Sequence, residues 1–415
     1  MKLKTILLFI CFSSTVFAQK INTDSLLIVT NNIIKTDQKE YFKAKKIAHQ
    51  CLKVAPNYLD FHIALGRIHK NEKNSDSARY YFQHVIDTNP KYKEAFVFLS
   101  KTELDAKNNA AALVIIDKGI AIYPDEKEFY LVKLQIITSE EKPKKSVEYL
   151  EFLSTKYPDD STIKNQLRDA KSNIKLNLIG INYTFTGFSR DNYGPWHQTS
   201  INYSKQFNKF SLGGRLNYID RRQNGMSQSF GYFYEIESYF KTTKKSYSFT
   251  NFGFSDGAVF PEFRFLFSNY YTLGKGFETE VGYRYNERQN AKSSSGILAL
   301  GKYFKNNWIN FRTSFQLDEA KLYPSFSTQF RHYYTTRFDY FSFNLGYGTS
   351  PDERQTLTQF QERIALKSYR FGAGYNTLFA EKFVVGVNGS FNNQEYFPEK
   401  FQNELIFSLN LNYLF

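Results

Sequence analysis

The chain is poor in the residues that build the commonest metal and disulfide frameworks. Its 415 residues include two cysteines. Cys11 falls in a leader-like segment and Cys51 stands alone after it. No internal disulfide or cysteine-based metal cluster is then available. A lipoprotein reading of Cys11 fails because bulky Ile10 precedes it where a small residue is needed. Methionine and tryptophan are also scarce, at two each. Long apolar runs are missing as well. Beyond the leader no stretch reaches 18 consecutive apolar residues, so no helical membrane span is expected. A concentrated basic stripe is absent too. The formal charge of +14 falls to +12 once Lys2 and Lys4 leave with the leader, and it is shared between both halves. Nucleic acid is not an expected partner.

What is abundant is aromatic. Phenylalanine contributes 42 residues and tyrosine 31, while the mean hydropathy stays at -0.49. Both residues favour strands, and tyrosine suits a membrane–water boundary. Membrane strands meet lipid on alternate residues only, so a polar average is compatible with a transmembrane β-barrel.

Residues 1–18 read as a signal peptide. Lys2 and Lys4 give the charged region, Thr5 to Phe12 the apolar core, and Val16 and Ala18 the small residues before cleavage at Gln19. Residues 19–175 read as a helical-repeat domain. Pro56, Pro90, Pro124 and Pro158 recur every 34 residues. Twelve residues before them stand Ala44, Ala78, Ala112 and Ser146. Leu65-Gly66 has a second copy at Leu99-Ser100, and Lys133-Leu134 departs from it. This pattern resembles the tetratricopeptide repeat. There a small residue lets two antiparallel helices approach and proline ends the second one. A weak opening helix is expected around Ser25–Thr36 and a closing helix around Thr162–Ile174. His62 and His69 share one helix face and are read as filling aromatic packing slots rather than as metal ligands. Such solenoids bind a peptide or protein along one face, so a periplasmic protein or an exported polymer is the expected partner.

From Lys175 the period changes to two. Ile179, Ile181, Tyr183 and Phe185 alternate with Gly180, Asn182, Thr184 and Thr186. Phe341, Phe343, Leu345 and Tyr347 alternate with Ser342, Asn344, Gly346 and Gly348. Residues 176–415 are therefore expected to form an antiparallel transmembrane β-barrel. Segments are long enough for tilted strands to cross a bilayer. The strand count reads as 14, with 12 as the alternative because Ser294–Phe304 and Ala365–Phe379 have blurred alternation. Short turns are expected near Phe207-Asn208, Gly274-Lys275, Lys305-Asn306 and Ala380-Glu381. Long loops are expected near Arg190–Gly194, Arg221–Gly225, Pro351–Gln361 and Asn392–Lys400. The last strand carries Leu405, Phe407, Leu409, Leu411, Tyr413 and Phe415. Its end, above all Leu411, Tyr413 and Phe415, resembles the C-terminal signal that bacterial outer-membrane barrels present to their assembly machinery. The implied location is the outer membrane, with the repeats in the periplasm.

The order of signal peptide, repeats and aromatic barrel resembles the YaiO-type outer-membrane barrel family. So do Gly253-Phe254-Ser255-Asp256 to Phe260-Pro261, Tyr270-Tyr271-Thr272-Leu273-Gly274-Lys275-Gly276-Phe277-Glu278 and Gly282-Tyr283-Arg284-Tyr285. The resemblance carries no established reaction. By architecture the chain is similar to exporters of secreted polysaccharides, which also join periplasmic repeats to a barrel; fold alone does not fix function. The expected function is export or secretion, with a non-conducting scaffold as the alternative. The alternation points Arg215, Glu235, Glu237, Glu278, Glu280, Arg284, Arg312, Gln329, Arg331 and Arg370 into the lumen. No enzyme is expected. His332 shares an apolar strand face, His197 is placed at an outer loop, and no Gly-x-Ser-x-Gly elbow occurs. No cofactor is implied.

Overall fold

The computed structural model describes residues 22–36, 38–288, 291–318, 321–348, 367–397 and 399–415. The segment read as a signal peptide lies outside them. Nine α-helices come first among the described residues: α1 (Thr23–Thr36), α2 (Tyr41–Val54), α3 (Leu59–Asn71), α4 (Ser75–Thr88), α5 (Lys93–Asp105), α6 (Asn109–Ile122), α7 (Lys127–Ser139), α8 (Pro143–Lys156) and α9 (Ser161–Asn173). Starts of alternate helices from α3 onward step by the same 34 residues as the prolines. The chain divides inside α8 into two compact units, Met1–Tyr149 and Leu150–Phe415.

The first unit is held by the repeat positions. Ala44, Ala78 and Ala112 are fully buried, as is Leu65. Gly66 lies against Phe82, and a Cβ there would sit 2.5 Å from the ring. Removing that carbon is what brings α3 and α4 together. Phe82 is itself buried and stacks on Phe98 with centroids 5.5 Å apart. Pro56, Pro90 and Pro124 each follow the residue that closes α2, α4 and α6, where the missing N–H does no harm. A second 34-residue signal sits in the turn within each repeat. Lys73, Lys107 and Glu141 adopt φ of 63°, 62° and 54°. Asn74 and Asn108 then cap the next helix, accepting from Ser77 N at 3.1 Å and Ala111 N at 3.5 Å.

His62 and His69 lie on α3 as packing groups. The His62 ring is 4.5 Å from His84, and His69 stacks on Tyr81 at 5.6 Å. Burial pushes both imidazoles below the ordinary histidine range. Among the described residues no group of three or more acidic, histidine or cysteine side chains could hold a metal ion.

Among the described residues the second unit contains fourteen antiparallel strands: β1 (Asn177–Phe188), β2 (Tyr193–Gln206), β3 (Phe210–Gln223), β4 (Met226–Lys241), β5 (Ser246–Ser255), β6 (Phe263–Gly274), β7 (Phe277–Arg288), β8 (Ala291–Phe304), β9 (Asn307–Asp318), β10 (Lys321–Tyr333), β11 (Tyr340–Tyr347), β12 (Ser368–Phe379), β13 (Phe383–Phe397) and β14 (Lys400–Leu414). Each pairs with its sequence neighbours, and β1 pairs with β14 to close the barrel. Asn177 and Phe415 exchange main-chain hydrogen bonds of 2.9 and 3.0 Å at the seam. The two segments with blurred alternation are β8 and β12, both paired on either side. The alternative of twelve is thereby excluded.

Burial alternates as a barrel wall requires. In β14, Leu405, Phe407, Leu409 and Leu411 are exposed, while Gln402, Glu404, Ile406 and Ser408 are buried. The expected short turns fall between β2 and β3, β6 and β7, β8 and β9, and β12 and β13. The expected long loops do not follow the forecast. β1 and β2 are separated by 189–192, β3 and β4 by Asn224-Gly225 alone, and β13 and β14 by 398–399; Pro351–Gln361 lies outside the described residues. Strand ends beyond the hydrocarbon need no apolar face, so polar composition there imitated a loop. Asn224 and Gly225, at φ 52° and 76°, form the tight hairpin turn that this dipeptide favours.

The last helix belongs to this unit. Arg168 of α9 contacts Asp339 at 3.2 Å and donates to the Leu378 carbonyl. Lys175 donates to the Glu381 carbonyl. Asp339 is fully buried and also accepts from Thr336 N, Thr336 Oγ1, Thr377 Oγ1 and Leu378 N at 2.6 to 3.0 Å. A carboxylate with that many donors fixes the β10–β11 and β12–β13 turns against α9.

Candidate functional site

Because alternate residues share a face, the exposed aromatic ladder outside the barrel dictates a polar ladder inside it. Among the expected interior residues, two groups form at different levels. The first centres on Glu235 of β4, across from Gly253 in the register. It accepts from Asn217 Nδ2 at 2.7 Å, from Asn251 Nδ2 at 3.2 Å and from Arg264 Nη2. Arg264 also donates to Asn251 Oδ1 at 3.1 Å and lies over the Phe233 ring at 4.7 Å. Arg284, opposite Leu266, is buried at the same level. Arg215 and Glu237 approach at 3.9 Å nearby.

Above this network a connection folds inward. Val259 and Phe260, from 256–262 between β5 and β6, are fully buried against Ile219 and Phe233. Phe260 stacks on Phe233 at 5.2 Å. Ser255 Oγ donates to the Pro261 carbonyl at 2.7 Å and accepts from Gly257 N at 2.9 Å, which holds the loop in shape. This sector of the interior is filled by side chains.

The second group lines a cavity of about 650 Å³ nearer the end that carries Asn177 and Phe415. Glu278, Glu280, Arg312, Gln329, Arg331 and Arg370 all border it. Glu280 accepts from Arg312 Nη2 at 2.9 Å and from the Tyr270 hydroxyl at 3.0 Å. Glu278 accepts from the Tyr247 hydroxyl at 3.2 Å. Tyr247 and Tyr270 stack almost parallel with centroids 4.7 Å apart. Across the cavity Arg331 lies between Trp308 and Tyr340, at 5.0 and 4.9 Å from their ring centres. The size falls within the range of small-molecule pockets.

Sequence reasoning missed Arg264, the aromatic wall and the Val259-Phe260 insertion. Arg264 alternates with Phe263 and Phe265, so its interior position was readable from period two. The insertion was not readable, since nothing local distinguishes a loop that folds in from one that projects. His197 lies within β2 rather than in a loop, hydrogen-bonded to the Tyr183 hydroxyl at 2.7 Å. β2 runs on to Tyr193, but its regular alternation of exposed residues reaches only Ile201, so the stretch around His197 lacks the pattern of a strand. His332 Nδ1 pairs with Asn307 Oδ1 at 2.8 Å.

Residues 176–353 match the YaiO membrane beta barrel domain, the family whose motifs the strands resemble. No curated protein matches the chain. Among solved structures, the chain is similar to the CymD monoaromatic hydrocarbon channel, at 9% identity and TM-score 0.40, covering 60% of this chain and 91% of that one. It is similar to the Acinetobacter baumannii outer membrane protein Omp33, at 10% identity and TM-score 0.37, covering 58% and 98%. The helical part is similar to a tetratricopeptide repeat protein from Parabacteroides merdae, at 15% identity and TM-score 0.30, covering 35% and 57%.

Proposed function

We propose that this chain, a YaiO membrane β-barrel joined to tetratricopeptide-like repeats, is an outer-membrane export component for a polar, hydroxyl-rich cargo such as a polysaccharide. The observation that carries this is the interior cavity with its charged, amide and tyrosine lining. A hydrated polymer needs many weak polar partners and no single deep trap, and such a wall supplies them. The signal peptide delivers the chain to the periplasm. Leu411, Tyr413 and Phe415 engage the barrel-assembly machinery, the outward aromatics meet outer-membrane lipid, and the repeats gather a periplasmic protein or the polymer itself. The Val259-Phe260 insertion makes the path gated: those two side chains must leave Phe233 before cargo passes. No step in this scheme needs bond chemistry, so the chain is not assigned an enzymatic role.

Planar-bilayer recording tests it. Full-length protein should conduct in brief openings, and Phe260→Gly combined with Val259→Gly should lengthen them. Electrical silence in both proteins would sink the reading. A second reading is favoured by the filled sector around Glu235 and Arg264. There the barrel is a non-conducting anchor for a repeat domain that recruits a protein partner. It predicts that a lipid anchor can replace the barrel without loss of function.

A further inference from the structure

The two ends of the barrel differ in charge. At the end that carries Asn177 and Phe415, the turns hold Lys209, Lys244, Lys245, Lys275, Lys305 and Lys382. The acids there are Asp339 and Glu381, and both are already engaged, by Arg168 at 3.2 Å and Lys171 at 3.6 Å. At the opposite end the described connections carry Asp191, Asp256, Glu262 and Glu399 against Arg190 and Lys367. Among the described connections the excess cations thus stand at one mouth.

That mouth leads inward. Lys209, Lys241, Lys244 and Lys245 border an open cleft of about 560 Å³, whose other walls include Tyr239 and Tyr247. The same two tyrosines border the interior cavity. Among the described residues none of these four lysines has a carboxylate partner. Further in, Arg331 lies over the rings of both Trp308 and Tyr340. Its hydrogen bond to Gln329 Oε1 is a long 3.4 Å, and among the described residues its buried Nε has no acceptor. A guanidinium set on two aromatic rings, with its one hydrogen bond long, keeps its fork for a carboxylate. The hydroxyls of Tyr247 and Tyr270 are tied to Glu278 and Glu280, so the rings are fixed as surfaces on which the apolar face of a sugar can lie.

We propose that the cleft and cavity together form a binding path for an acidic saccharide, a glycan bearing uronate carboxylates. The lysines gather it, the tyrosines support its rings, and Arg331 takes a carboxylate. This rests on the export reading and names the cargo class. Neutral glycans would use the aromatic wall but leave the lysines and Arg331 without a counter-charge.

The test uses full-length protein in nanodiscs of neutral lipid, titrated with hexagalacturonate and, separately, with maltohexaose. Trp308 borders the cavity and is one of two tryptophans, so intrinsic fluorescence reports occupancy. Hexagalacturonate should change the signal, and its binding should weaken with salt. Arg331→Gln should weaken it about tenfold, the size expected for one charge-assisted contact. Lys244→Gln with Lys245→Gln, on an exposed turn, should flatten the salt dependence while heat-modifiable gel mobility stays normal. Equal response to maltohexaose, no response to either sugar, or unchanged affinity in Arg331→Gln overturns the proposal. Loss of sugar binding in nanodiscs containing phosphatidylglycerol would assign the lysines to lipid headgroups and overturn it too. Bilayer conductance without a hexagalacturonate response removes this inference alone, whereas binding without conductance removes the export reading alone.

Discussion

The two units use the same residue types in opposite places. In the repeats Phe61, Phe82 and Phe129 are buried and the lysines and glutamates pair at the surface, as Lys45 does with Glu72 at 2.7 Å. In the barrel Phe371 and Phe407 are more than half exposed, at 54% and 55%, while Glu235, Arg264, Arg284 and Glu404 are buried. The inversion follows from the solvent. Water around a solenoid drives apolar side chains inward. Lipid around a barrel drives polar groups inward, where they must satisfy one another.

The largest effect that can break this contrast is inside the barrel. Glu235→Ala leaves Arg264 buried with its main partner gone, which should cost about 3–5 kcal/mol. Urea unfolding followed by tryptophan fluorescence measures it, since Trp196 and Trp308 both lie in strands. The helical signal at 222 nm should barely move. An unchanged fluorescence midpoint would mean that water reaches Arg264. Next come matched substitutions by arginine. Phe371→Arg places a charge on the lipid face and should cost about 2–4 kcal/mol. Tyr80→Arg, at a similarly exposed site on α4, should change stability by no more than about 0.5 kcal/mol. Equal costs would mean that the two surfaces face the same medium.

Smaller is Gly66→Ala. The added carbon meets the Phe82 ring and should destabilise the repeats by about 1–3 kcal/mol through overpacking, lowering the 222 nm midpoint and sparing the fluorescence. The smallest effect is set by pH. Burial lowers His62 and His69 below their unfolded values, with His84, His49 and Lys45 adding repulsion and Glu72 opposing it for His69. The unfolded chain then binds protons first. The stabilisation is complete above about pH 6.5 and is lost as pH falls through the depressed folded values. Helical stability should decline over that interval, and a His62→Phe, His69→Tyr variant should decline less.

How much was legible follows the same division. The repeat register and strand alternation are periodic, so Ala78, Pro90 and Phe407 reveal their environment by spacing alone. The strand count of fourteen was harder to read, because β8 turns Ile297 and Ala299 inward and so blurs the contrast between faces. Glu235 and Arg331 were placed on the interior face from alternation, but their different fates were not. Whether a charge meets a partner depends on strands far away in sequence, and on a loop that folds in.

The seam between β1 and β14 sets an order of events. Asn177 and Phe415 are 238 residues apart, the widest separation among the strand pairs. All other pairs are hairpin neighbours that can form locally and early. Ring closure must wait for the most distant segment, against a large loop entropy. Until then β1 presents an open edge, which invites pairing with another chain. A partner that shields this edge during assembly would therefore act on a kinetic hazard, and slowing the arrival of β14 should raise aggregation more than it lowers final stability.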